Sequence, residues 1–233
     1  MCGRYSLAIP ADQLRARFPV GESLALTPHF NIAPGTEIAA VTTDRHGAPR
    51  GELLRWGLVP SWSESSAVGL KLINARVESV TDRPAFRGAL ERFRCLIPAD
   101  GFYEWQQLPG QRRKQPFHIT RADHELFAFA GLWSVWHRGQ ADELRSCTIL
   151  TTAANPLVAQ VHDRMPVILR PEQESRWLAP DGSVSTLVEM LSGLGPDEMA
   201  MRPVGPAVSD IRNDGPECLL DPPPPAQQSL FAE

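Results

Sequence analysis

The chain has 233 residues, 42% of them apolar, and a formal charge of −4 at pH 7, enough to bury one large core or two small ones. No run of about 18 apolar residues offers a membrane span, and the start lacks the charged-then-apolar pattern of an export signal. The four cysteines, Cys2, Cys95, Cys147 and Cys218, form neither a CxxC pair nor a disulfide framework, so a cytoplasmic protein with reduced thiols, no metal and no cofactor is expected.

The charge is unevenly placed. Residues 1–170 carry 20 Lys and Arg against 16 Asp and Glu, and residues 171–233 carry 3 against 11. Any anion-binding surface therefore belongs to the first 170 residues. Of 23 basic residues only Lys71 and Lys114 are lysine; the arginines suit bidentate phosphate contact and stacking.

In chain order, a short amphipathic helix is predicted over 10–18, after Pro10. Asn31-Ile32-Ala33-Pro34-Gly35 reads as a loop by its Pro-Gly pair, followed by strands at 36–43 and 52–59, the second ended by Pro60. Residues 61–78 are polar and irregular. A helix fits 82–92, with Pro84 in its first turn. Strands are predicted at 93–98, 101–106, 116–120, 126–136 and 145–152. Asn155-Pro156 caps a short helix reaching about Val161, a strand covers 167–169, and helices cover 171–178 and 184–194. Strands and helices without βαβ alternation argue for an α+β fold with a mostly antiparallel, barrel-like sheet core and short flanking helices. Residues 1–220 form the predicted domain. The run Asp221-Pro222-Pro223-Pro224-Pro225 reads as an extended linker opening a tail over 221–233.

The opening Met1-Cys2-Gly3-Arg4 is the most informative segment. Initiator Met is normally trimmed before a small residue, which would leave Cys2 with a thiol and an α-amine on adjacent carbons. The amine of such a 1,2-aminothiol condenses with an aldehyde, and the thiol then closes a ring on the same carbon. The reference values are about 8 for the amine and about 8.5 for the thiol, so electropositive surroundings would activate the thiolate. Glu104 lies in Gly101-Phe102-Tyr103-Glu104-Trp105. It is either a desolvated acid–base or a carboxylate alternating to the solvent face of its strand. His162, beside Asp163, is a proton shuttle or an ordinary surface histidine. Asn74 alone would be a loop former.

Taken together, the ordered motifs MCGR, N-x-APG, W-G, INAR-x-E, DG-x-x-EW, QPF and HDR-x-P resemble the SRAP family, the SOS-response-associated peptidases that act on abasic sites. The resemblance runs from Met1 to about Leu219. It implies an abasic-site sensor whose Cys2 forms a covalent thiazolidine with the ring-opened sugar in single-stranded DNA, shielding the lesion at replication forks. It makes Asn74 the holder of the amine and sugar, Glu104 the proton relay in Schiff-base formation, and His162 the group that assists ring opening and reversal. Gly3, Arg4, Asn31, Pro34, Arg76, Thr151 and Arg164 are implied at the DNA groove, with Trp56 or Trp62 offering a stacking surface. The family often has two adjacent tryptophans where this chain has Ser61-Trp62-Ser63, and Met165 stands where a second arginine can occur. The family name also implies a peptidase step, removal of Met1 by the same site or by an aminopeptidase. A nucleoid-associated monomer is expected.

Two other classes are open. N-terminal-nucleophile glutamine amidotransferases also begin Met-Cys-Gly, but continue into an apolar strand where this chain has Arg4. A non-catalytic reader of modified bases would need no thiol. Finally, Gln227-Gln228-Ser229-Leu230-Phe231 resembles the bacterial sliding-clamp motif, with Gln227 anchoring and Leu230 and Phe231 filling a pocket.

Overall fold

The computed structural model describes residues 2–22, 24–110 and 112–224. Gln227, Leu230 and Phe231, and with them the clamp-binding expectation, lie outside the described residues, as does Met1. The elements run β1 (Tyr5–Leu7), α1 (Ala11–Arg17), β2 (His29–Ile32), β3 (Glu37–Thr43), β4 (Pro49–Trp56), β5 (Asn74–Arg76) and α2 (Pro84–Arg92). There follow β6 (Arg94–Ala99), β7 (Gly101–Gln106), β8 (Gln115–Arg121), β9 (Phe127–Trp136), β10 (Leu144–Ala153), β11 (Arg164–Pro166) and β12 (Ile168–Leu169). The chain continues through α3 (Pro171–Leu178), α4 (Val184–Glu189) and β13 (Met199–Pro203).

Strands β10, β4, β3, β6 and β9 pair in that order, and β9 pairs back to β10, closing a five-stranded barrel. Closure leaves no exposed sheet edge in the ring. All its pairings are antiparallel except β4 with β10. The expected α+β, barrel-like antiparallel core is therefore the observed fold. Strand β9 reads as a near-continuous apolar run because nine of its ten residues, all but Ser134, are buried. A second antiparallel sheet, ordered β13-β8-β7-β1-β2, is docked on the barrel by Tyr5. Its ring meets Trp56 of β4 at 5.4 Å and Phe129 of β9 at 5.6 Å, both edge-on, the favoured aromatic geometry. The start of the chain is thereby tied to the core.

Departures from the sequence expectations have local causes. The strand predicted at 52–59 stops at Trp56, because Gly57 takes φ +130° and passes so close to Gly69 that a Cβ would lie 2.8 Å from the Gly69 carbonyl. The helix expected at 155–161 is one 3-10 turn, Val158–Gln160. Asn155 Oδ1 does cap that segment, accepting from Leu157 N at 3.0 Å and Val158 N at 2.9 Å. The last helix ends at Glu189 rather than 194. Strands β1, β2, β5, β11 and β13 have no sequence counterpart; all five have five residues or fewer and follow no clear alternation. No helix among the described residues is long and apolar enough to cross a membrane.

Candidate active site

Four segments far apart in sequence converge around Cys2. The Arg4 carbonyl accepts from Tyr103 N at 2.9 Å, which sets the first residues beside β7. Cys2 is fully buried, and its thiol lies 3.9 Å from the Arg4 carbonyl. Asn74 begins β5, which runs parallel to β10 with Asn74 opposite Ile149. From there its Nδ2 donates to the Cys2 carbonyl at 2.7 Å. Its Oδ1 is buried without a protein partner, so one acceptor faces the site.

Glu104 settles the choice left by its strand: it is 4% exposed, turned inward rather than to solvent. Burial pushes its carboxyl up to about 7, against the pull of the α-amino charge at the chain's start; Asp163 adds to the rise and Lys114 opposes it. An acid so placed exchanges protons at neutral pH. Burial, reinforced by the nearby Glu104 charge, also pushes the Cys2 thiol far above its ordinary range. The expectation of an electropositive pocket that ionises this thiol is thus corrected. Cys2 rests as a neutral thiol and needs a base when it reacts.

His162 lies between the 3-10 turn and β11, where Gln106 Nε2 of β7 donates to the Gln160 carbonyl at 2.7 Å. Burial lowers its pKa, so the ring is neutral at pH 7. Its Nδ1 accepts from Arg164 N at 3.0 Å, which puts the ring proton on Nε2. Asp163 Oδ1 also stands 2.9 Å from Nδ1, a contact that would need the ring proton on Nδ1 instead. Asp163 is 83% exposed, where water competes for the contact, so the backbone bond is the one that orients the ring.

The residues expected at the groove fall into three groups. Arg76 is exposed and Trp62 is 67% exposed, while Gly3 and Pro34 are half-buried. Arg4 and Arg164 are half-buried and already engaged. Arg4 Nη1 donates to Asn31 Oδ1 at 2.7 Å and to the Val208 carbonyl at 2.9 Å. Arg164 makes a two-pronged pair with Glu78 at 2.7 and 2.8 Å and reaches the Thr151 carbonyl at 2.7 Å. This pairing holds the Glu78 carboxyl below its usual range. Asn31, Thr151 and Trp56 are buried. The Asn31 amide is spent on Arg4 and on the carbonyls of Val208, Asp210 and Asn213, so it shapes the wall that holds Arg4. The Thr151 hydroxyl has no protein partner. Trp56 is a correction: fully buried, with its indole N–H on the Ile73 carbonyl at 2.9 Å, it has no face for a base, whereas the Trp62 ring is exposed.

Sequence reading passed over Lys114, whose charge acts on both Glu104 and His162. The basic run Arg112-Arg113-Lys114 between two strands was the available signal. No group of three His, Cys, Asp or Glu side chains able to hold a metal occurs among the described residues.

A closed, mostly antiparallel barrel with a buried cysteine at the second position, an asparagine on its carbonyl and a neutral-range carboxyl beside it defines the class: a β-barrel protein with a thiol–carboxyl site built on its second residue. The signature of the SOS response associated peptidase (SRAP) family matches residues 1–211, and the chain belongs to that family. It is 38% identical over 223 residues to the abasic site processing protein YoqW of Bacillus subtilis, covering 94% of this chain and 99% of that protein. It is 31% identical to the abasic site processing protein YedK of Escherichia coli, covering 94% and 99%, and 30% identical to the abasic site processing protein HMCES of Rattus norvegicus, covering 94% and 75%. Among solved structures, a Bacteroides thetaiotaomicron protein shares the fold with a TM-score of 0.84 at 23% identity, covering 94% of this chain and 99% of that one. Membership sets aside the amidotransferase reading.

Proposed function

We propose that this protein processes abasic sites in single-stranded DNA by covalent capture, through a thiazolidine on Cys2 after removal of Met1. The observation that carries the reading is the pairing of a buried Cys2 with a Glu104 carboxyl at about 7. Curated relatives named for abasic site processing support it. As the hemiacetal opens to the aldehyde, the C1′ hydroxyl proton passes through solvent water to the sugar ring oxygen, and the His162 Nε2–H hydrogen-bonds to that oxygen while keeping its proton. The α-amine of Cys2 adds to C1′ to give a carbinolamine. Glu104, protonated, donates to the hydroxyl, which leaves as water and gives the protonated imine. The resulting carboxylate then takes the Cys2 thiol proton as sulfur bonds to the same carbon and the imine nitrogen becomes an amine. One water is lost, and Glu104 acts first as acid and then as base. Asn74 holds the Cys2 carbonyl and turns Oδ1 toward the amine.

Single strands are the preferred substrate because extruding a sugar from a duplex costs a few kcal/mol. Arg76 and, after exchange of partners, Arg164 and Arg4 meet phosphates, while Trp62 stacks on a base. The adduct shields the lesion at replication forks in the nucleoid. Met1 is removed by the same site or by an aminopeptidase, and the tail over 221–233 places the protein on the sliding clamp, raising its local concentration there. The test is denaturing electrophoresis of mature protein incubated with single-stranded DNA bearing one abasic site. Wild type gives a shifted band that survives denaturation, and Cys2→Ala loses it. An equally stable band with Cys2→Ala overturns the proposal.

A further inference from the structure

The turn between β7 and β8 carries Arg112, Arg113 and Lys114, all exposed, and none of the three forms an ion pair among the described residues. Arg113 and Lys114 form one side of a cleft of about 320 Å³ whose other walls are Trp105, Pro206 and Ser209. Trp105 is fixed in place. Its indole N–H donates to Ser209 Oγ at 3.1 Å, and the Arg4 guanidinium lies against the ring, 5.6 Å from its centroid. The cleft thus combines a rigid aromatic surface, two cations without acidic partners and a proline wall. Its volume sits at the small end of ligand clefts, roughly 300–1,000 Å³, which suits a single nucleotide.

Strand alternation puts Trp105 on the opposite face of β7 from Glu104, so the cleft is separate from the capture site. Lys114 links the two, because it lines the cleft and its charge also reaches Glu104 and His162. A flat aromatic surface beside paired cations is the arrangement that holds single-stranded nucleic acid, with bases stacked and phosphates neutralised.

We infer that this cleft is a binding site for one nucleotide flanking the abasic site on the same strand, its base on Trp105 and its phosphate on Arg113 and Lys114. The inference rests on the abasic-site reading above. The probe is a fluorescent single strand carrying a tetrahydrofuran abasic analogue, which has no aldehyde and binds without crosslinking. Two shorter versions are trimmed to the lesion on the 5′ or the 3′ side. Full-length wild type and the Arg113→Ala/Lys114→Ala variant are compared by anisotropy across salt concentrations. The substitutions lie in an exposed turn and leave the core intact. On the untrimmed strand the variant should bind about tenfold more weakly, with a salt slope smaller by about 0.7, the share of one phosphate contact on a single strand. On one trimmed strand, the one lacking the flanking nucleotide, wild type and variant should bind equally. Equal affinity and slope on the untrimmed strand overturn the inference, and so does the same loss on all three strands, which marks a diffuse charge effect. A wild type that forms no adduct with a true abasic site sinks the parent reading instead; an adduct with unchanged variant binding sinks only the flanking site.

Discussion

Replacing Glu104 by Gln tests the proton relay most directly, because it keeps the shape and removes the exchangeable acid. Capture needs two forms at once, a protonated Glu104 and a neutral α-amine. The carboxyl sits at about 7 and an α-amine at about 8. Near pH 7.5, about a quarter of each group is in the required form, so about 6% of molecules hold both. At the ordinary carboxyl value of 4.5, only about one molecule in a thousand would be protonated there. Burial therefore raises the productive population about 200-fold, equivalent to about 3 kcal/mol. Single-turnover capture of an abasic single strand, followed on denaturing gels from pH 5.5 to 9.5, should give a bell with limbs near 7 and 8 for wild type. Glu104→Gln should be about a hundredfold slower near pH 7.5, with no falling limb, and should still reach completion. A wild-type rate that climbs to a plateau at pH 9 would refute the role of Glu104 as the acid.

Other outcomes follow from the same structure. His118 is buried and neutral, its pKa held to about 3 by desolvation; its Nε2 lies 2.9 Å from Ser6 Oγ, which also donates to Asp100. The unfolded chain binds a proton below about 6.5 that the folded chain refuses until about 3. Stability should therefore fall as pH drops through that window, by at most about 5 kcal/mol. Asp100, raised by burial, works in the opposite sense and reduces the loss; His118→Asn should flatten the acid limb of a Tm-versus-pH curve, and an unchanged limb counts against this account. Trp56→Ala should cost about 3–5 kcal/mol in urea unfolding, whereas Trp62→Ala should leave stability within about 0.5 kcal/mol and weaken single-strand binding; the reverse pattern would restore Trp56 as a stacking residue. Asn74→Ala should slow capture at unchanged pH limbs, since it orients Cys2 rather than moving protons, and a shifted limb would contradict that. A labelled 221–233 peptide should bind the purified clamp with micromolar Kd and lose binding when Leu230 and Phe231 become Ala; binding that never saturates leaves the tail without this role.

The β-rich middle of the chain was readable because its strands are long, apolar and separated by turn residues. Strand β9 and helix α2, with Pro84 at its start, needed no tertiary information. The candidate catalytic residues were readable too, but as chemistry rather than place: Cys2 by its position, and Asn74, Glu104 and His162 by the motifs around them. What those residues do depends on surroundings that only folding creates. Composition assigns neither the high pKa of the Cys2 thiol nor the neutral-range carboxyl of Glu104, because both come from water excluded by segments about a hundred residues away. Trp56 and Trp62 are equivalent as letters, and barrel closure alone buries one and exposes the other. The short strands β1 and β5 owe their existence to partners β7 and β10, since three residues without those ladders could not offset the entropy of their own ordering.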